Sequence, residues 1–507
     1  MKTLIIKTSF VCLTALALTS GCKKFLDQEV VGAYPEQDFY KTDEDATQAT
    51  TAVYDMMQAH YNTAWTSLYM VKTLLTDESN AGGNNSGDQP QYQALDDYNF
   101  DATNAGVRDV WRILYFTIYR ANKVINSVKP ETDLRKRLIA ESKALRAYNY
   151  LELVSLWGDV PLVLADIPKG GFTTTKRAPK AEIYAQIEKD LNEAIAVLPL
   201  KSQYSAADKF RVSKGTAQAI LGKALLYEGK WSDAATQFEA VITSAQYGLA
   251  PTIGSVFSKA GEFGIESLME VSYTSGRNYD WGNFPWGAQP ESNIHVQLMG
   301  PRGDFYTKAP ADSLIAGWGF ILPKKKMYDA FTAAGDANRR KATVMSEDEL
   351  KAAGGKWTGA GIWDYEGYFQ RKYGSFETQT GGPINELNYG TNWRLIRYAD
   401  VLLMAAEAYN KAGNDGKALP YINMVRQRPG TALPALTGVA GTALFDAIVK
   451  ERQLELAFEG VRFQDLVRWG KAAQELGPLG FKTGKHELLP IPDYDVKSGG
   501  LSQNNNY

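Results

Sequence analysis

Residues 211–243 read RVSKGTAQAILGKALLYEGKWSDAATQFEAVIT, and their spacing decides the fold. Two short amphipathic helices are predicted on either side of Glu228-Gly229-Lys230. Ala217, Leu221 and Leu225 share one face of the first, and Ala234, Phe238 and Val241 one face of the second. Small residues at Gly222 and Ala234 let the pair approach closely. These offsets are those of a tetratricopeptide hairpin. They recur 184 residues on, where Ala406, Tyr409, Ala418, Ile422 and Val425 hold the corresponding places and Gly413-Asn414-Asp415-Gly416 supply the turn. One hairpin cannot bury its own apolar face, so more degenerate pairs are expected to stack beside these two.

Helical spacing continues on both sides of the hairpin. Upstream, residues 42–75 place Ala46, Thr50, Val53, Met57 and Tyr61 on one face, and further helices are predicted over 105–128, 134–157 and 180–198. The third of these segments is stopped by Gly158-Asp159-Val160-Pro161 and the fourth by Pro199. The run NAGGNNSGDQP at 80–90 is expected to be irregular. Downstream, helices are predicted over 397–413, 418–428 and 444–460. Between them, from 247 to 392, the periodicity fails and Gly, Trp, Tyr, Asn and Pro dominate, with short alternating runs such as 267–273 expected as strands. The fold class is therefore mainly α: a tetratricopeptide-like scaffold with a large loop-rich insertion containing a few short strands. Three parts are expected, a signal segment 1–21, an N-terminal helical region 22–245 and a C-terminal region 246–507 that carries the insertion.

The N-terminus has its own logic. Lys2 and Lys7 precede an apolar run from Ser9 to Leu18, too short to remain as a spanning helix, and Gly21-Cys22 follows. Cleavage before Cys22 would make it the first residue of a lipoprotein, despite Thr19 standing where an aliphatic residue is usual. Cys12 leaves with the signal, so the mature chain keeps a single Cys and no disulfide framework. The signal also takes two lysines, and the formal net charge falls from −2 to −4. With charge near balance and no basic run interleaved with aromatics, nucleic acid is not expected as a partner.

Catalytic signals are weak. Glu451, Glu455 and Glu459 stand four apart on a predicted helix, a spacing that invites a glycosidase reading, but Arg452, Arg462 and Arg468 nearby favour a structural ion network. His60, His295 and His486 are far apart, and no metal-binding or nucleophile motif occurs. No catalytic residue, metal or cofactor is assigned.

Several of these segments together resemble the SusD/RagB family of outer-membrane nutrient-binding lipoproteins. The resemblance rests on Cys22 followed by Phe25-Leu26-Asp27, on YRAN at 119–122, ESKALRA at 141–147 and LWGDVPLV at 156–163. It continues with Gly317-Trp318-Gly319, RYADVLL at 397–403, ERQLELAFEGVR at 451–462, DLVRWG at 465–470 and the closing LPIP at 489–492. It departs locally at Val461-Arg462-Phe463-Gln464. What the resemblance implies is a lipid-anchored protein of the outer-membrane surface that binds oligosaccharide and closes over a SusC-like TonB-dependent transporter. Ligand residues vary across that family, so none carries over by motif.

The ligand candidates come instead from the aromatic content. Eleven Trp and 28 Tyr exceed what a helical core needs, and several sit in Gly/Asn-rich stretches. Sugar rings present C–H faces that pack on flat aromatic surfaces, while polar side chains at the rim satisfy hydroxyls. Tyr92, Tyr98, Tyr279, Trp281, Trp286 and Trp357 are the expected ligand residues, and Cys22 the lipid anchor. Trp111, Trp157, Trp231 and Trp469 fall on helical patterns and are expected in the core, and Trp318 is read as structural. A plain tetratricopeptide scaffold of the envelope and a lipid-anchored glycoside hydrolase are the competing functions.

Overall fold

A computed structural model describes residues 39–60, 65–168, 170–431 and 433–507. Cys22, the signal segment, the tether behind it and Tyr61 lie outside the described residues. Among the described residues, eight α-helices lead up to the insertion: α1 (Asp43–Ala59), α2 (Leu68–Leu74), α3 (Pro90–Asp96), α4 (Ala105–Ser127), α5 (Asp133–Trp157), α6 (Lys180–Ile195), α7 (Lys214–Tyr227) and α8 (Trp231–Thr243). Four of those that follow it matter here: α9 (Tyr398–Lys411), α10 (Asp415–Arg426), α11 (Gly441–Glu455) and α12 (Arg462–Arg468). Packing follows chain order, α4 on α5, α5 on α6, α6 on α7 and α7 on α8. The stack then continues from α8 directly to α9, α10 and α11, so the two sequence hairpins lie side by side although about 150 residues separate them. This is a helical, tetratricopeptide-like array with few short strands.

The founding hairpin forms for the reasons its sequence contains. Ser213 caps α7 by accepting from the Thr216 N–H, and the chain reverses through Gly229. Phe238 of α8 is wholly buried against Gly222 of α7, where a Cβ would stand 2.5 Å from the ring. Burying a side chain of that size contributes roughly 1.5–3 kcal/mol.

Elsewhere the structure corrects the periodicity. The predicted 42–75 helix is two, because α1 ends at Ala59 and Ser67 caps a new start. The first three residues of the expected 80–90 loop are not irregular: Ser79–Gly82 pairs antiparallel with Phe320–Pro323 and is buried along its length. The insertion is also more ordered than its composition suggests. It contains helices Ile294–Met299, Lys325–Ala333, Ala337–Thr343 and Glu347–Ala352, and its first strand, Ser267–Val271, pairs with Trp393–Arg397 at its exit. That pairing brings the ends of the insertion together where α8 and α9 meet.

Helix α11 stops at Glu455, so Glu459 lies beyond the helix rather than on its face. All three glutamates nevertheless enter one ion network, with partners other than those nearest in sequence. Arg339 pairs with Glu451 and Glu455, Arg397 with Glu266, Glu455 and Glu459, Arg428 with Glu266 and Glu455, and Lys372 with Glu459. Arg452 turns instead to Asp400 and Asp465, Arg462 to Asp77, and Arg468 to Glu407 and Asp465.

Candidate functional site: a tryptophan platform

The insertion returns over α1 with the loop NYDWGNFPWGAQ at 278–289. Short local bonds set its shape: the Asp280 carboxylate accepts the backbone N–H of Gly282 and Asn283, and Asn283 in turn accepts the Asp280 N–H. Longer bonds fix its position. Asn388 accepts from the Tyr279 N–H and donates to the Tyr279 carbonyl, and the Tyr279 hydroxyl accepts the Glu291 N–H. At the far end Gln289 donates to the Asp55 carbonyl and to Gln58 Oε1, which clamps the loop on α1.

Pro285 and the glycines leave no helix or ladder for the indoles to pack into, so Trp281 stays 51% exposed and Trp286 45%. They do not stand alone. Their rings are parallel within 6° at 6.0 Å, Trp286 meets Trp65 at 5.6 Å, and Trp65 meets Trp318 at 5.4 Å. Successive planes turn by 6°, 32° and 49°, which makes a continuous aromatic surface that is not flat. A small apolar cluster of Phe284, Ile294 and Leu387 supports it, with Tyr279, Trp65 and Trp318 packed against that cluster.

Trp65 reaches its place with φ +63°, a conformation costly for a bulky residue. His295, buried beneath, hydrogen-bonds the Trp65 backbone, and burial lowers its pKa to about 3, so it stays neutral at physiological pH. Trp318 depends on a close crossing at Gly317, where a Cβ would lie 2.4 Å from the Gly300 Cα. Half-buried Arg302 donates to the Trp318 carbonyl and pairs with Asp304, and exposed Asn278, Asp280 and Asn283 complete a polar edge. The arrangement can stack sugar-like rings and satisfy hydroxyls at its border.

The sequence-based candidates divide accordingly. Trp281, Trp286 and half-buried Tyr279 are brought together here. Tyr92, Tyr98 and Trp357 are corrected to core positions. Tyr92 is fully buried edge-on to Phe320, Tyr98 donates to the Leu75 carbonyl and packs on Phe481 and His486, and Trp357, 8% exposed, packs on Phe369 and Tyr365. Of the helical tryptophans, Trp111 and Trp157 are buried as expected, whereas Trp231 and Trp469 are only half-buried. Trp65 and Trp318 are the two platform residues that spacing did not single out. Each stands apart from the other tryptophans in sequence, and only the GWG motif around Trp318 marked either. Among the described residues no cluster of His, Cys, Asp and Glu is arranged to hold a metal, and no helix is long and apolar enough to cross a membrane.

Comparison with known proteins adds family context. Residues 266–488 match the SusD family, and residues 11–226 match a family described as starch-binding and associating with the outer membrane. A laminarin-binding SusD-like protein of known structure is 33% identical, with a TM-score of 0.82 over 92% of this chain and 100% of that one. Surface glycan-binding protein A from Bacteroides thetaiotaomicron, solved in complex with laminarihexaose, shares the fold at 24% identity and a TM-score of 0.77, over 91% of this chain and 99% of that one. A SusD-like protein of Bacteroides ovatus is 24% identical over 91% of this chain and 82% of its own.

Proposed function

The chain belongs to the SusD family, and on that premise we propose that it is a glycan-binding lipoprotein of the outer-membrane surface that captures a neutral oligosaccharide on the Trp281–Trp286–Trp65–Trp318 platform. The laminarin-binding protein and the surface glycan-binding protein named above are described as binding proteins, and this protein too is a binder and not an enzyme. One observation carries the site: four tryptophans from three separate stretches of chain meet in series on a surface, with two indoles half exposed. A core has no use for such exposure, and a plain scaffold has no need of the strained Trp65 backbone.

Anchoring through Cys22 and delivery to a TonB-dependent transporter extend the same reading. Several acyl chains, at about 0.8 kcal/mol per buried CH2, would hold the protein at the membrane essentially permanently. Cys22→Ala is expected to release it into the soluble fraction, and a variant that still sediments with membranes and takes up labelled fatty acid would refute the anchor.

The laminarin-binding relative makes laminari-oligosaccharides the first ligands to test, and a surface whose planes turn suits a curved chain better than a flat ribbon. A stacked ring is worth roughly 0.5–1.5 kcal/mol beyond its buried area, and about 1.4 kcal/mol is a factor of ten in affinity. Trp281→Ala and Trp286→Ala should therefore each weaken laminarihexaose binding about tenfold in calorimetric titration, with melting temperature unchanged. Equal affinity in both variants would remove this loop from the site.

A further inference from the structure

At the other end of the platform loop, where Gln289 is clamped to α1, a second concavity of about 290 Å3 opens between α1, the strand Ser267–Val271 and the segment that enters α7. That is room for far more than one ordered water and sits at the lower end of ligand-site volumes. One wall is aromatic, since Tyr54 and Phe210 meet edge to face at 5.2 Å. Both rings are held firmly. The Tyr54 hydroxyl donates to Glu141 and accepts the Val212 N–H, and the Arg211 guanidinium lies 4.9 Å from the Phe210 centroid.

The mouth is polar. The side chains of Asp55 and Glu291 are 46% and 39% exposed, and Ser272 beside them is exposed. Asp55 pairs with Arg120 and Glu291 with Arg277, but each carboxylate offers about four acceptor positions and neither is saturated by its one cation. Aromatic faces beside acceptors for hydroxyl donors repeat the chemistry of the platform. The two places are also physically joined, because the loop that carries Trp281 and Trp286 runs through Gln289 into Glu291.

We propose that this pocket is an extension subsite, which receives a sugar unit of a neutral glycan whose other units lie on the tryptophans. The proposal rests on the glycan-binding reading and goes further, because it makes affinity depend on chain length beyond what the platform spans.

The test is calorimetry with laminaritriose and laminarihexaose. Wild type should bind the hexasaccharide at least about tenfold more tightly than the trisaccharide. Ser272→Trp fills the mouth from an exposed position whose carbonyl, the acceptor for Gln58, is unchanged. It should reduce that advantage to within about twofold while leaving trisaccharide affinity as in wild type. Trp281→Ala should weaken both ligands. Phe210→Ala, which removes the aromatic wall, provides a second variant should Ser272→Trp melt early, and is expected to act in the same direction. Equal affinity of wild type for the two ligands, or a full length advantage retained in the variants, overturns the subsite while leaving the platform standing. No binding of laminarihexaose to wild type refutes the glycan reading in this form, and the subsite falls with it.

Discussion

Glycine at position 222 and phenylalanine at 238 form one packing unit, and exchanging either should reveal the other. Gly222→Ala adds a methyl 2.5 Å from the ring. The alanine gains up to about 1 kcal/mol of helix propensity, but overpacking costs typically 1–3 kcal/mol, so a net loss of stability is expected in denaturant titration. Phe238→Leu in the same chain should recover part of it, because contacting sites are not additive. Glu78 has a different signature. Burial pushes its carboxyl up to about 8 despite Arg462 nearby, so the folded protein binds a proton that the unfolded chain releases near 4.5. The stability this contributes is fully present below about pH 4.5 and is lost as the pH rises towards 8. Glu78→Gln keeps an acceptor for the Phe458 N–H and should flatten that part of the melting curve against pH, with its largest gain over wild type near pH 8. Residue by residue, exposure was legible where punctuation was local. Asp280, Gly282, Asn283 and Pro285 bend the chain by themselves, so Trp281 and Trp286 were recognisable as surface residues. Tyr92 and Tyr98 follow an equally Gly/Asn-rich run, yet they are buried because Ser79–Gly82 finds a strand partner about 240 residues away. No local signal carries that pairing.

Between elements, the buried charges do what apolar packing does elsewhere. Glu266, Arg339 and Lys372 come from the insertion, Arg397 and Arg428 from the second hairpin and its flanks, and Glu451 and Glu455 from α11. Burial alone would raise the Glu455 carboxyl, but Arg428, Arg397 and Arg339 outweigh it and hold it well below the usual range. Its contribution is therefore complete above about pH 4.5 and lost only as the pH falls below that. Arg397→Ala leaves Glu455 and Glu459 short of a partner in the interior, and removing one member of such a network costs about 3–5 kcal/mol. Chemical denaturation of Arg397→Ala should show a loss of that size, whereas Arg120→Ala, which breaks an exposed pair with Asp55, should change stability by less than about 1 kcal/mol. The sequence marked these glutamates as structural through the arginines beside them. The actual partners lie 25 to 116 residues away, at distances that periodicity does not span.

For the molecule as a whole, the absence of catalysis is itself open to test. The carboxylates of the ERQLELAFEG stretch are buried and engaged by arginine and lysine, so purified protein incubated with laminarin should release no reducing sugar. Turnover that vanished in Glu455→Gln would overturn this. The order of the helices was legible from periodicity because every repeat contacts its neighbours in chain order. The direct seating of α8 on α9 has a consequence for how the protein is made. Helices α4 to α8 pack on one another in chain order and can assemble as soon as they are available. The platform cannot, because it takes Trp65 from before α2 and Trp281, Trp286 and Trp318 from an excursion whose ends meet only when Trp393–Arg397 closes on Ser267–Val271. Closing so long a loop is slow and comes late in folding. Competence to bind is thus acquired in the last step of maturation, and a chain truncated after Thr243 would keep Trp65 alone of the platform and have nothing to hold a sugar.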